Sequence, residues 1–112
     1  MRPVHLAQLD ETRPVLVLTR ELVRPHLTRV TVAPITSTVR GLSTEVPVGP
    51  QNGVNHAGVV SCDTVVTVRA TALGRQIGRL LPEQEVEPTA ALHAAFDLDD
   101  LPRLRRDGDR GD

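Results

Sequence analysis

The sequence predicts a small, mainly β protein of the α+β class, in which an antiparallel, barrel-like sheet is followed by one C-terminal helix. Short segments rich in Val, Ile and Thr follow one another as far as residue 81, and only the segment after them has helical spacing. The 112 residues suffice for one modest core. Because the sole aromatic residue is Phe96, Val, Leu, Ile and Ala must build that core.

The strands are predicted from alternating or continuous apolar patterns. Residues 14–19 are apolar on both faces, which indicates a central strand or a subunit contact. Residues 20–27 contain Pro25 and are predicted as a loop with a helical turn, and residues 49–58 have loop composition. Pro47 indicates an edge strand. The predicted strands are 4–9, 14–19, 29–35, 44–48 and 73–81, with 58–62 and 64–68 as two further strands or one bulged strand.

The one helix is predicted within residues 82–100. Acidic residues crowd its first turn, where they favour the helix dipole, and Pro88 suggests that the regular helix begins there rather than at Pro82. Residues 1–98 form one predicted domain, and the charged residues 99–112 are predicted to be a disordered tail. The side chains expected to share one face of the helix are Val86, Leu92, Ala95 and Phe96.

The net charge of −1 conceals an asymmetry along the chain. Residues 1–80 hold nine arginines and five acidic residues, whereas residues 81–112 hold four arginines and nine acidic residues. Every basic residue is Arg, whose guanidinium binds phosphate and stacks on bases. A GC-rich genome also produces a lysine-free chain, and from composition alone we favour that explanation.

Several classes of function are disfavoured. The apolar runs are too short to span a bilayer and no secretory segment precedes the first strand, so we expect a cytoplasmic protein. Cys62 is the only cysteine, which excludes an internal disulfide, and the valines before it predict a buried position. No metal or other cofactor is expected, because there is no glycine-rich phosphate loop and the histidines lack ligand spacing. These are His5, His26, His56 and His93.

Arg13 is the first residue that indicates chemistry. It stands at the start of a strand, and Pro14 biases it towards an extended conformation, so its guanidinium projects from a stiff base. The competing interpretation is a surface ion pair with Glu11 or Asp10. The residue alone does not decide between the two.

The second indication is a hydroxyl cluster just beyond a predicted core strand. Thr36, Ser37 and Thr38 are followed by Arg40 and Gly41. A turn needs the glycine but not three hydroxyls and a guanidinium. Ser and Thr also satisfy backbone groups in turns, however, so this cluster alone is not specific either.

Four blocks of sequence together resemble the MazF/PemK family of toxin endoribonucleases, especially its Arg-rich actinobacterial, mycobacterial-type members. The resemblance covers roughly residues 2–98 in the family's order and spacing, and includes the Asp after the fifth strand, here Asp63. It implies the small SH3-like barrel that MazF shares with CcdB. The blocks are RPVLVLTRE (13–21), VTVAPITSTVRGLSTEVPV (30–48), GVVSCDTV (58–65) and LGRQIGRLL (73–81).

The resemblance implies the toxin of a type II toxin–antitoxin pair, a homodimer that cuts single-stranded RNA at short sequences without a metal. Residue by residue, the family's catalytic Arg falls on Arg13 and its catalytic Thr on Thr36, with Ser37 at the adjoining hydroxyl position. The implied reaction is attack by a ribose 2′-OH on the neighbouring phosphate, which leaves a 2′,3′-cyclic phosphate and a 5′-OH. Arg13 would stabilise charge and donate a proton to the leaving oxygen.

The chain departs from the family in its first loop, which shrinks to residues 10–12. Glu11 is the nearest carboxylate that could accept the 2′-OH proton. With almost no aromatic side chains, arginine faces would have to stack on bases. The candidate RNA-binding residues are Arg20, Arg40, Gly41 and Arg69.

The expected partners follow from the same resemblance. They are single-stranded RNA, of the messenger, ribosomal or transfer class, and an acidic antitoxin whose C-terminal segment fills the RNA groove. The basic balance of residues 1–80 suits both. The homodimer interface is expected at residues 14–18 and the C-terminal helix.

Two alternatives stay open. A gyrase-inhibiting toxin shares the fold but relies on a C-terminal Trp, and this chain has no Trp and ends in RRDGDRGD. A non-catalytic small barrel that binds RNA or a peptide would bind RNA without cutting it.

Overall fold

The computed structural model describes residues 2–97, so the tail predicted at 99–112 lies outside the described residues. Each predicted strand is present to within two residues at either end, and the helical turn expected within 20–27 is observed at Arg24–His26. The strands are β1 (Pro3–Gln8), β2 (Thr12–Val17), β3 (Arg29–Thr36), β4 (Glu45–Val48), β5 (Gly58–Ser61), β6 (Val66–Arg69) and β7 (Leu73–Arg79), and the helix is α1 (Val86–Phe96).

Strand β3 joins the two parts of one antiparallel sheet. The strand order is β4-β5-β3-β2-β1-β7, and β6 also pairs with β3. Residues 29–32 of β3 pair with β6, whereas Ile35 and Thr36 pair with β5. The sheet therefore curls around β3 as a half-barrel, which confirms the predicted fold class. Pro47 is exposed in the outermost strand β4, as predicted.

Two apolar cores lie on the two faces of β2. Leu16 is fully buried in the core beneath α1, which also contains Cys62, whose predicted burial is confirmed. Val15 and Val17 are fully buried in a second core formed by β1, β2 and β3. Each such side chain contributes about 1.5–3 kcal/mol by leaving water. β2 is thus the central strand that its apolar sequence predicted.

The helix begins at Val86, two residues before Pro88, so the predicted start at Pro88 is wrong. Pro88 fits the first turn because no intrahelical bond needs its missing N–H. The predicted apolar face is also wrong in part, since Val86 and Phe96 are 70% and 54% exposed. The residues at i, i+3, i+4 and i+7 from the proline face the protein instead, which are Pro88, Ala91, Leu92 and Ala95.

A buried pair of amides ties the loop before β5 to the segment before α1. Asn52 is fully buried, and its Nδ2 donates to Gln84 Oε1 at 2.6 Å and to the Arg79 carbonyl at 3.0 Å. Asn52 Oδ1 accepts from the Gly49 N–H at 3.1 Å. Gly53 follows with φ +92°, and a Cβ there would lie 2.0 Å from the Ile77 carbonyl oxygen. Within residues 2–97, no helix is long and apolar enough to cross a membrane.

Candidate active site

The pairing of β2 with β3 brings Arg13 and Thr36 together. Val15 lies opposite Pro34, and continuing this register by two residues places Arg13 opposite Thr36. Both side chains line an open cavity of about 430 Å³ and also a neighbouring one of about 380 Å³. We call these the first and second cavities. The two residues chosen from the sequence thus stand at the border between them.

Arg13 is held by two carboxylates. Its Nε donates to Asp10 Oδ1 at 3.1 Å, and its Nη2 donates to Glu11 Oε2 at 2.9 Å. The hydrogen bond and charge of Asp10 raise the pKa of Arg13, and Arg13 lowers the pKa of Asp10. The ion pair considered in the sequence is therefore present, with both acids rather than one. It leaves Nη1 unused by either carboxylate.

The Thr36 hydroxyl accepts a hydrogen bond in the turn and keeps its own hydrogen available for donation. The Thr38 N–H donates to Thr36 Oγ1 at 3.1 Å, so the turn function of this cluster is also observed. The hydroxyl proton is not consumed by accepting that bond, and the half-buried side chain borders both cavities. Ser37 is exposed and lines the second cavity together with Glu11 and His56.

Glu45 closes the loop between β3 and β4. Its carboxylate accepts from the backbone N–H groups of Arg40 at 3.2 Å, Gly41 at 2.9 Å and Leu42 at 3.2 Å. Gly41 supplies the left-handed conformation, φ +75°, that lets these amides converge. The amides of Arg40 and Gly41 are therefore occupied by the chain's own carboxylate, while Arg40 lines the first cavity.

Ser61, Asp63 and Thr64 also line the first cavity. The Thr44 hydroxyl donates to Asp63 Oδ2 at 2.5 Å, and the Thr64 hydroxyl donates to Ser61 Oγ at 3.0 Å. Asp63 is exposed and follows β5, where the sequence resemblance expects the family's Asp. The first cavity therefore contains further hydroxyls and a further carboxylate besides the Arg13 guanidinium.

Not all predicted RNA-binding residues meet here. Neither Arg20 nor Arg69 lines these two cavities, and Arg69 lies opposite Arg29 at the far end of β3. Asp10, as a partner of Arg13, and Glu45 are functional candidates that the sequence did not single out. Asp10 could have been chosen because it lies three residues before Arg13 in the chain. Glu45 could not, because it lies in an ordinary alternating strand pattern.

The described residues contain no cluster of three or more His, Cys, Asp or Glu side chains placed to hold a metal ion. The Cys62 thiol is buried and is not a candidate nucleophile. Burial raises its pKa, and the Asp63 carboxylate adds a smaller contribution in the same direction. The cavity therefore offers a guanidinium, hydroxyls and carboxylates as its reactive groups.

Comparison with known proteins gives consistent matches. The sequence profile of PemK-like, MazF-like toxins of type II toxin–antitoxin systems matches residues 3–96. Endoribonuclease MazF3 of Mycobacterium tuberculosis is 65% identical over 99 residues, which are 88% of this chain and 96% of that protein.

Solved structures agree with the fold. Mycobacterium tuberculosis toxin MazF-mt6 superposes with a TM-score of 0.84 at 64% identity, over 86% of this chain and 97% of that one. An endoribonuclease in complex with its cognate antitoxin, from a mycobacterial species, superposes with a TM-score of 0.77 at 26% identity, over 86% of this chain and 92% of that one.

Proposed function

The chain belongs to the PemK-like, MazF-like family of toxins of type II toxin–antitoxin systems, and we propose that it is an endoribonuclease that cuts single-stranded RNA at short sequences without a metal. Two relatives are named as endoribonuclease and probable endoribonuclease, which favours this activity over gyrase inhibition and non-catalytic binding. The observation that carries the proposal is that Arg13 and Thr36, on the neighbouring strands β2 and β3, line the same open cavity.

In the proposed reaction the 2′-oxygen forms a bond to the adjacent phosphorus and the bond from phosphorus to the 5′-oxygen breaks. The phosphorane between these states carries extra negative charge. The guanidinium of Arg13 and the hydroxyl of Thr36 donate hydrogen bonds to it, and such a donor is worth about 3–4 kcal/mol of barrier. The 5′-oxygen leaves with the electron pair of the broken bond and takes a proton from solvent water, which the open cavity admits. The products are a 2′,3′-cyclic phosphate and a 5′-OH.

The contacts of Arg13 refine its role. The neighbouring Asp10 raises its pKa, which opposes loss of a proton, so we assign Arg13 to charge stabilisation rather than to protonation of the leaving oxygen. Glu11 borders the second cavity with Thr36 and is the carboxylate we assign to accept the 2′-OH proton. To do so it exchanges its bond to Arg13 for one to the ribose.

An antitoxin is the partner expected for a toxin of this family, and a similar endoribonuclease has been solved with its cognate antitoxin. We propose that an acidic segment of the antitoxin occupies the first cavity, because carboxylates pair with the guanidiniums of Arg13 and Arg40 as phosphates do. A cytoplasmic homodimer is part of the same proposal.

The test is cleavage of single-stranded RNA in the presence of EDTA. Wild-type protein should cut, and Arg13→Ala or Thr36→Ala should each lower the rate by about a hundredfold or more. Arg79→Ala and Thr89→Ala are matched controls, since both residues are exposed and remote from the two cavities. Cleavage that EDTA abolishes, or that survives both active-site changes, contradicts the assignment.

A further inference from the structure

Two arginines face each other at the end of β3 furthest from the active site. Arg29 and Arg69 are directly opposite in the β3–β6 register, so their side chains share a face. Both are exposed, and within residues 2–97 neither forms a salt bridge with a carboxylate. Like charges at opposed positions destabilise a sheet unless an anion lies between them.

The surroundings of this pair also suit an anion. Arg29 and Arg69 line a cavity of about 360 Å³ together with Thr28 and Thr71. Its side chains therefore offer two guanidinium forks and two hydroxyls, and no acidic residue contributes to its wall. Guanidinium forks match the oxygens of a phosphate group, and hydroxyls add further donors.

The cavity lined by Arg29 and Arg69, which we call the arginine cavity, does not overlap the active site, but an open groove connects the two. Arg29 and Thr36 are the two ends of β3, about 23 Å apart at the usual rise of an extended strand, so one phosphate cannot touch both. An open groove of about 740 Å³ runs beside β6 between them. It shares Leu9 and Asp10 with the first cavity, and Arg29 and Arg69 with the arginine cavity.

We propose that Arg29 and Arg69 bind a backbone phosphate of the same RNA strand whose cleaved linkage lies at Arg13 and Thr36; this rests on the proposed function. RNA fits better than an acidic peptide because it carries a phosphate at every nucleotide. A strand held at the active site and lying in the groove necessarily brings further phosphates to the pair. A peptide offers a carboxylate only where its sequence places one.

This site extends the footprint of the enzyme without taking part in the reaction. Its loss should therefore raise KM for long RNA and leave kcat unchanged. RNA too short to reach the pair should be cut equally well by wild type and by variants of the pair.

The experiment uses the whole protein with Arg29→Gln, Arg69→Gln and the double variant, and Arg79→Gln as the control. For long RNA, KM of the double variant should rise at least fivefold. The slope of log KM against log salt should fall by about 0.7, the value for one single-stranded phosphate contact. Shortening the RNA stepwise should abolish the difference at one length.

A neutral-linkage scan locates the contact. Uncleavable 2′-O-methyl RNA with one methylphosphonate at successive positions is titrated by fluorescence anisotropy. Wild type should lose affinity at one linkage remote from the cleavage site, and the double variant should lose that sensitivity alone. Since nothing is cut in this titration, it reports on the pair even if RNA cleavage, and with it the proposed function, fails.

Three results would overturn the proposal. The double variant could bind and cut long RNA as wild type does. It could lose kcat on the shortest RNA, which would place the arginines in the fold or the reaction. It could instead weaken only antitoxin binding, which would assign the pair to a protein partner.

Discussion

At the scale of single residues, the guanidinium of Arg13 is held from one side and open on the other. Asp10 takes the Nε edge and Glu11 takes Nη2. An exposed ion pair adds little to stability. The ion pair instead orients the Arg13 guanidinium, because a long flexible side chain must present the same edge to every phosphate. We therefore interpret Asp10 as a positioning residue for Arg13.

Asp10→Asn should lower kcat about tenfold to a hundredfold with little change in KM, because the amide keeps the shape of the side chain but not its charge. Asp97→Asn, at the exposed end of α1, is the matched control. Steady-state kinetics on one RNA substrate measures the effect. Equal kcat values for wild type and Asp10→Asn would exclude the positioning role.

The pH dependence of this effect has a defined sign. Arg13 lowers the pKa of Asp10 below its ordinary value of 3.8, so the carboxylate stays charged as the pH falls through that value. Its contribution is present above the ordinary pKa and is lost only as the pH falls through the lowered one. The ratio of the wild-type to the Asp10→Asn rate should thus stay constant between pH 8 and about 5.

Some residues that line the candidate site could be chosen from the sequence, and others could not. Arg13 and Thr36 could be chosen because each stands at the end of a patterned strand and fits a family motif. The role of Glu45 could not be predicted, because its carboxylate meets three backbone amides of a loop that folds back on it. Such contacts depend on the path of the chain, which alternation does not encode.

At the scale of elements, the loop between β3 and β4 is closed by hydrogen bonds to a carboxylate of its own segment. Its three amides converge on Glu45, which places Arg40 at the wall of the first cavity. Hydrogen bonds to a charged group contribute about 1.5–3 kcal/mol. We expect this loop to keep its shape without RNA.

Glu45→Ala should speed hydrogen exchange at the amides of Arg40, Gly41 and Leu42 by at least tenfold and raise KM for RNA. Glu45→Gln should do less, since its amide oxygen still accepts. Glu83→Ala, in the exposed turn before α1, is the control. Unchanged protection in Glu45→Ala would show that the loop is ordered by other contacts.

The strands were predictable, whereas the helix face was predicted only in part: Leu92 and Ala95 contact the core, but Val86 and Phe96 do not. Alternation has a period of two, so an error of one residue in a strand boundary leaves its faces intact. In α1 the sequence is rich in alanine, and the bulky Val86 and Phe96 suggested an apolar stripe that does not contact the core. The smaller residues face the core because the helix packs closely against it.

At the scale of the whole molecule, the pair Asn52 and Gln84 connects the half-barrel to the helix. The fully buried side chain of Asn52 forms four hydrogen bonds, with Gln84, the Gly49 N–H and the Arg79 carbonyl. Removing one buried partner leaves the others unsatisfied. No sequence pattern predicts this contact, because Asn52 and Gln84 are 32 residues apart in the chain.

Asn52→Ala should lower the free energy of unfolding by about 2–3 kcal/mol, measured by urea denaturation. Its exposed neighbour provides the control, and Gln51→Ala should change stability by less than about 0.5 kcal/mol. A loss in Asn52→Ala no larger than in the control would mean that the amide pair is not a structural link.

The curl of the sheet also belongs to this scale. β3 pairs with β6 along its first half, which places Arg29 beside Arg69, and its last residues pair with β5. Its pairing with β2 brings Thr36 towards Arg13 at the other end. The strand patterns predicted the strands but not which halves would pair, since register depends on contacts between segments remote in sequence.

The proposed function depends on metal-free attack by a ribose 2′-OH at Arg13 and Thr36. The most direct measurement compares, in EDTA, an RNA cut by the wild-type protein with the same RNA carrying one 2′-deoxy nucleotide on the 5′ side of the cleaved linkage. The all-ribose RNA should give 2′,3′-cyclic phosphate and 5′-OH ends, and the deoxy RNA should stay intact at that linkage. Cleavage of the deoxy linkage at a comparable rate, or 5′-phosphate ends, would contradict the proposed mechanism.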